Sequence, residues 1–177
     1  MRMRWKMSNR ADPIAVEIAD RHYNRQKIGT PQFVAPGRCK VFLTLDHIAL
    51  WVTSWPFAEY TKHDWAGAWV NSLFRNEGAM LSSELILDAI AATRYFWEPP
   101  ELGIVTFVNA DKIRSSNPGY CYLQAGFKKV GKTKKDGLVV LQMLKINMPS
   151  ADPPHNAQFG MFDNKPFQGM QKTAPLN

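Results

Sequence analysis

Apolar positions recur at helical spacing in three stretches and run together or alternate in the segments between them. Ile14, Ile18 and His22 fall four apart, as do Ala15, Ala19 and Tyr23, so a helix is predicted from Asp12-Pro13 to about Arg25. Its buried stripe would end in His22 and Tyr23. Leu85, Ile86, Ala89, Ile90, Thr93, Phe96 and Trp97 make the inner face of a second helix, capped by Ser82 or Ser83, with Glu84 in its first turn and Pro99-Pro100 at its end. The third is short: Asn117 caps, Pro118 takes the first helical position, and Gly126 supplies a left-handed stop.

Residues 40–45 and 48–54 are β-branched and aromatic around Asp46-His47 and read as a hairpin broken by Trp55-Pro56-Phe57. Residues 67–74 and 102–108 read as strands, and 128–144 as two more. The strand, helix and strand from 67 to 108 have the pattern of a βαβ crossover. Its first turn, 76–83, presents backbone amides at the carboxyl end of a strand, where anions bind, although an ordinary capped helix start accounts for the same residues. Residues 24–37 form a long loop rich in glycine and proline, and 58–64 a loop or single turn. From 147 to 177 prolines alternate with Phe and Met without a period, which predicts a tail draped over the core or over a second subunit, behind one domain at 1–146.

A chain of 177 residues, 45% hydrophobic and 12% aromatic, is long enough for one fully packed domain. No apolar run is long enough to span a bilayer, and the basic residues 1–7 lack the apolar stretch of a secretory signal. Cys39 and Cys121 are far apart and outside any CxxC, and the four histidines lack metal-ligand spacing, so neither a disulfide framework nor a metal site is expected. These features predict a cytoplasmic protein. The net charge of +7 is clustered in 2–10, 21–40 and 112–135, which raises the odds of a nucleic-acid partner over a merely basic surface.

The element order, with a last helix ending in Tyr122-Leu123-Gln124-Ala125-Gly126-Phe127, resembles the GNAT acyltransferase fold over roughly residues 4–145. That family carries a tyrosine five residues before the phenylalanine, as here. The resemblance implies an α/β (α+β) architecture: a mixed, mostly antiparallel sheet with a central splayed parallel pair and flanking helices. Within that superfamily, His22-Tyr23-Asn24-Arg25, the loop after it and the serine-headed helix are similar to phage Mom-like proteins, which modify DNA bases. GNAT enzymes hold the pyrophosphate of acetyl-CoA on an Arg/Gln-x-x-Gly-x-Gly/Ala turn. Here Arg75-Asn76-Glu77-Gly78-Ala79-Met80 keeps the arginine and first glycine, places Met80 at the second small position and adds the charge of Glu77.

On this resemblance the expected activity is transfer of an acyl or acetamido-type group to a nucleobase amine, in phage DNA base modification or anti-restriction. The alternative is an acetyl-CoA-dependent N-acetyltransferase of another amine. Tyr122 is the expected proton donor to the leaving group, and His22, titrating near neutrality, the candidate base, with Ser82 and Asp111 as orienting groups. Arg75, Gly78, Ala79, Ser82 and Ser83 would hold acetyl-CoA or another acyl donor. Tyr23 and Trp55 would stack on a base, while Arg25, Lys27 and Arg114 contact phosphate. Trp51, Phe57 and Tyr60 add aromatic surface for a flipped nucleotide, and Lys62 a further backbone contact. A homodimer through the tail is the remaining partner expectation. Each of these residues also has an ordinary role as core aromatic, cap or surface charge.

Overall fold

The computed structural model describes residues 2–33, 36–113 and 116–157. Its centre is one seven-stranded sheet in the order β1-β2-β3-β4-β5-β7-β6, with three α-helices among the described residues. The strands are β1 (Trp5–Ser8), β2 (Gly37–Thr44), β3 (Ala49–Pro56), β4 (Trp69–Asn76), β5 (Ile104–Val108), β6 (Lys128–Lys132) and β7 (Val139–Met143). The helices are α1 (Pro13–Asp20), α2 (Ser82–Phe96) and α3 (Tyr120–Ala125). All neighbouring strands are antiparallel except β4 and β5, which run parallel on either side of α2. The protein is therefore a mixed α+β domain with a mostly antiparallel sheet.

Core packing follows the two-residue period of the strands. Phe42, Trp51 and Trp69 face α2 and α3 in one cluster with Leu85, Ile86 and Ile90. Val41, Leu43, Leu50, Val52 and Leu73 point the other way and cover Ala15, Ile18 and Ala19 of α1. The central strands are thus buried on both faces, which explains their continuous apolar runs.

Local chemistry moved several boundaries. α1 stops at Asp20, five residues short of expectation, because the Asp20 carboxylate accepts from Arg25 Nε (2.8 Å) and from the Gly29 amide, turning the chain back on itself. His22 and Tyr23 consequently lie on that turn and not on the helical stripe. α3 begins at Tyr120, since Gly119 at φ +80° ends a turn closed by the Tyr120 amide on the Asn117 carbonyl. A Cβ at Gly119 would meet Leu141 Cδ1 at 2.6 Å. Gly126 at φ +106° is the expected left-handed stop. α2 has Leu81 as its N-cap without a side-chain bond, so neither Ser82 nor Ser83 caps it.

The hydrophobic pattern does not announce β1. Trp5 is fully buried and its indole N–H donates to the Leu85 carbonyl at 2.8 Å, so one aromatic anchors a basic segment. Residues 148–157 dock on the same domain: Asp152 N–H donates to Ala91 O, and His155 exchanges backbone bonds with Trp5 and Met7 along the edge of β1. Residues 148–157 of the tail therefore lie in cis; residues 158–177 fall outside the described residues. Among the described residues no helix is long and apolar enough to cross a membrane.

Candidate functional site

β4 and β5 pair at only three positions, Trp69↔Ile104, Val70↔Val105 and Asn71↔Thr106, after which β4 continues to Asn76 and β5 to Val108 without a shared ladder. A cavity of about 420 Å³ occupies the gap at the carboxyl ends of the two strands. Its walls include Ser72 and Asn76 from β4, Thr106 and Val108 from β5, Tyr122 from α3 and His22 from the turn after α1. Ligands in open parallel arrangements bind at this position.

The gap is organised by Asn71. Val52 pairs with Leu73 and Thr53 with Asn71, so Ser72 is an extra residue, a β-bulge facing the cavity. Asn71 Nδ2 donates to the carbonyls of Val52 and Leu73, both at 3.0 Å, and so satisfies the disturbed ladder. With both amide hydrogens used, Oδ1 is left to accept the Tyr122 hydroxyl at 2.5 Å. Burial drives the Tyr122 phenol well above its ordinary range, so it stays protonated and acts as a hydrogen-bond donor. The Thr106 hydroxyl lies beside it.

His22 stacks on Tyr23 with ring centroids 4.5 Å apart, and its Nδ1 accepts the Asn24 amide at 3.1 Å. Burial, and secondarily the charge of Arg75, lower its pKa from 6.5 to about 4. The neutral ring then carries its proton on Nε2. In this geometry His22 is a donor, which does not fit the base role expected for it. Burial raises the Tyr23 phenol, and the backbone of Asn109 beyond β5 sits close enough to oppose that shift. Tyr23 thus reaches from the α1 side to the far lip of the gap. Cys121 lines the cavity as a thiol whose pKa burial has raised.

A second cavity of about 340 Å³ lies beneath the loop after α1, lined by Gln26, Gln32 and Phe33, and shares His22, Asn24, Ser72 and Leu73 with the first. Arg25 does not present itself to solvent there. Its side chain is 4% exposed, ion-paired to Asp20, bonded to the carbonyls of Thr30 and Gln32 and stacked on Phe33. It staples the loop and is not placed to grip phosphate. Lys27 remains exposed, with its amine on Gln32 Oε1.

Several expected site residues lie elsewhere. Trp55 sits at the opposite end of the sheet from the gap, packed against Trp69 and Trp97 under the Arg38 guanidinium. Trp51 is wholly buried. Asp111 is exposed on a short turn after β5 and lines neither cavity. Arg114 falls outside the described residues. Ser82 lines the cavity and receives a bond from Asn76 Nδ2 at 3.0 Å, whereas Ser83, Gly78 and Ala79 stay outside it.

The turn from β4 into α2 is a poor fit for a pyrophosphate. The Glu77 amide donates to Ile48 O and the Gly78 amide to Asn76 Oδ1, which removes two donors of the expected cradle. Glu77 holds Arg21 through both oxygens (2.7 and 2.8 Å) and Arg75 through one (2.7 Å). Those contacts, Arg21 foremost, lower its pKa to about 2 and keep a carboxylate where phosphate charge would sit. A Cβ on Gly78 would meet Ile48 Cγ2 at 3.0 Å and Asn76 Oδ1 at 3.6 Å, so this glycine packs against neighbouring side chains.

Sequence reasoning missed Asn71 and Thr106. An asparagine inside the apolar run Trp69-Val70-Asn71 was the available signal, since asparagine is depleted from strands without a specific role. Among the described residues no group of three or more His, Cys, Asp and Glu is arranged to hold a metal. Comparison with protein-family models, curated proteins and solved structures returns no match.

Proposed function

We propose that this protein is a GNAT-like, phage-type DNA base modification enzyme that transfers an acyl or acetamido-type group to an amine of a nucleobase. The observation that carries the reading is the pair of cavities meeting at His22 and Ser72, beside the buried Tyr122–Asn71 bond. A two-substrate transfer needs a donor and an acceptor to meet across one wall. The gap between β4 and β5 is the donor side. The second cavity, walled by Phe33 and the carboxamides of Gln26 and Gln32, suits a flat heteroaromatic acceptor extruded from the stack.

In the transfer a bond forms between the acceptor nitrogen and the donor carbon, the bond to the leaving group breaks, and a proton passes from nitrogen to the leaving group. For this step the single O–H of Tyr122 turns from Asn71 Oδ1 toward the leaving group and donates to the charge that develops there. His22, through Nε2–H, orients the reactants. The spent amides and the Glu77 carboxylate at 76–78 support a donor held by the cavity itself over acetyl-CoA held through its pyrophosphate.

Nucleoside mass spectrometry on DNA from cells making the protein, alone and with partner modification enzymes, tests the proposal. A base of increased mass that disappears with Tyr122→Phe is the expected result. Unmodified DNA in both settings, together with no DNA binding at low salt, overturns it.

A further inference from the structure

We infer that the turn joining β6 to β7 is a phosphate-gripping arm that positions nucleic acid over the cavity; this rests on the DNA reading above. Residues 128–138 hold five lysines and a single acid, Asp136, so this short stretch carries more than half of the chain's net +7. Register places that charge. Val108, at the open end of β5, pairs with Val139 of β7, and Val139 pairs with Lys132 of β6. Val108 itself lines the gap cavity. The turn beyond Lys132 therefore leaves the sheet at the end where the cavity lies.

Its shape is fixed. Thr133 N–H donates to Leu138 O at 2.9 Å, Gly137 N–H to Thr133 O at 3.1 Å, and Thr133 Oγ1 accepts the Leu138 amide at 2.9 Å. Gly137 adopts φ +61°, which closes the turn. Lys132, Lys134 and Lys135 are exposed, and the one ion pair they make among the described residues, Lys134 with Asp64 at 3.6 Å, is solvated on both sides. Lysines on an edge strand are an ordinary guard against strand-to-strand pairing. That purpose explains Lys128 and Lys129 but not Lys134 and Lys135, which stand in the turn beyond the ladder. A base drawn into the cavity must have its flanking phosphates held, and such contacts position without reading sequence.

The test is fluorescence anisotropy with a labelled duplex of about 20 base pairs, titrated at several salt concentrations. The triple variant Lys132→Gln, Lys134→Gln, Lys135→Gln is compared with wild type and with the double variant Lys128→Gln, Lys129→Gln. Thermal melting verifies that each variant is folded. The triple variant should weaken binding tenfold or more at low salt, and its log–log salt slope should flatten by about 0.9 for each phosphate that the removed lysines had neutralised. The double variant should weaken binding clearly less per charge removed. Equal weakening per charge in the two variants, or a triple variant with the wild-type slope, overturns the arm. Wild type that fails to bind duplex at low salt overturns the DNA reading itself and the arm with it.

Discussion

The two ends of β4 solve opposite problems with one strand. At the Trp69 end the strand is paired on both sides, and the aromatics Trp55, Trp69 and Trp97 close over one another with Arg38 against them. Lys40, though buried, lies 4.3 Å from the Phe96 ring centroid. From Ser72 to Asn76 one neighbour is missing, and buried polar groups at its root satisfy each other around an open cavity. The dry end leaves the Trp69 indole nitrogen as the one buried side-chain polar atom without a partner among the described residues. Packing at the closed end carries stability, whereas the open end invests stability in a fixed polar arrangement.

The largest effect expected from breaking this contrast is at Asn71. Asn71→Leu keeps the volume but strands the Val52 and Leu73 carbonyls and the Tyr122 hydroxyl, at a cost of about 3 kcal/mol in denaturant unfolding, with loss of modified base. Trp69→Phe at the closed end removes an unpaired N–H along with ring area and should cost less than that. A larger destabilisation at Trp69 than at Asn71 would reverse the comparison. Tyr122→Phe should lower product formation by about a hundredfold or more while costing about 1–3 kcal/mol of stability through the orphaned Asn71 oxygen.

A smaller effect is set by pH. His22 titrates near 4 in the folded protein against an ordinary 6.5, so between those values the unfolded chain binds the extra proton. Folding stability therefore falls as pH drops through that window, and His22→Asn should flatten this part of the urea-midpoint profile. An unchanged profile would show that the ring is not desolvated. The least change in stability, under about 1 kcal/mol, is expected for Glu77→Gln. Its use is diagnostic. Millimolar acetyl-CoA should not raise the melting temperature of wild type, whereas releasing Arg21 and Arg75 in the variant should create a measurable shift. A wild-type shift would return acetyl-CoA to the donor role.

Most of the elements were legible because their signals are local. Asp12-Pro13 starts α1 with the Asp12 carboxylate on the Ile14 amide, Gly126 ends α3, and the runs around Val41 and Val52 are strands. Departures arose where a side chain found a partner that periodicity does not register. Arg25 was expected at phosphate, but Asp20 and two loop carbonyls use its donors. Trp55 was expected at a base, but β3 carries it away from the gap. His22 was expected as a base from its ordinary titration, whereas burial lowers its pKa to about 4 and the Asn24 amide occupies Nδ1.

Periodicity and turn residues were enough to read helices alternating with strands and a last helix that bears Tyr122 five residues before Phe127. Whether that tyrosine faced core or cleft was beyond them. It depended on β4 and β5 parting after three pairs, on the Ser72 bulge, and on Asn71 meeting a hydroxyl 51 residues away in the chain. Those are contacts between segments remote in sequence, and burial together with the partners it brings decides which donors and charges survive there.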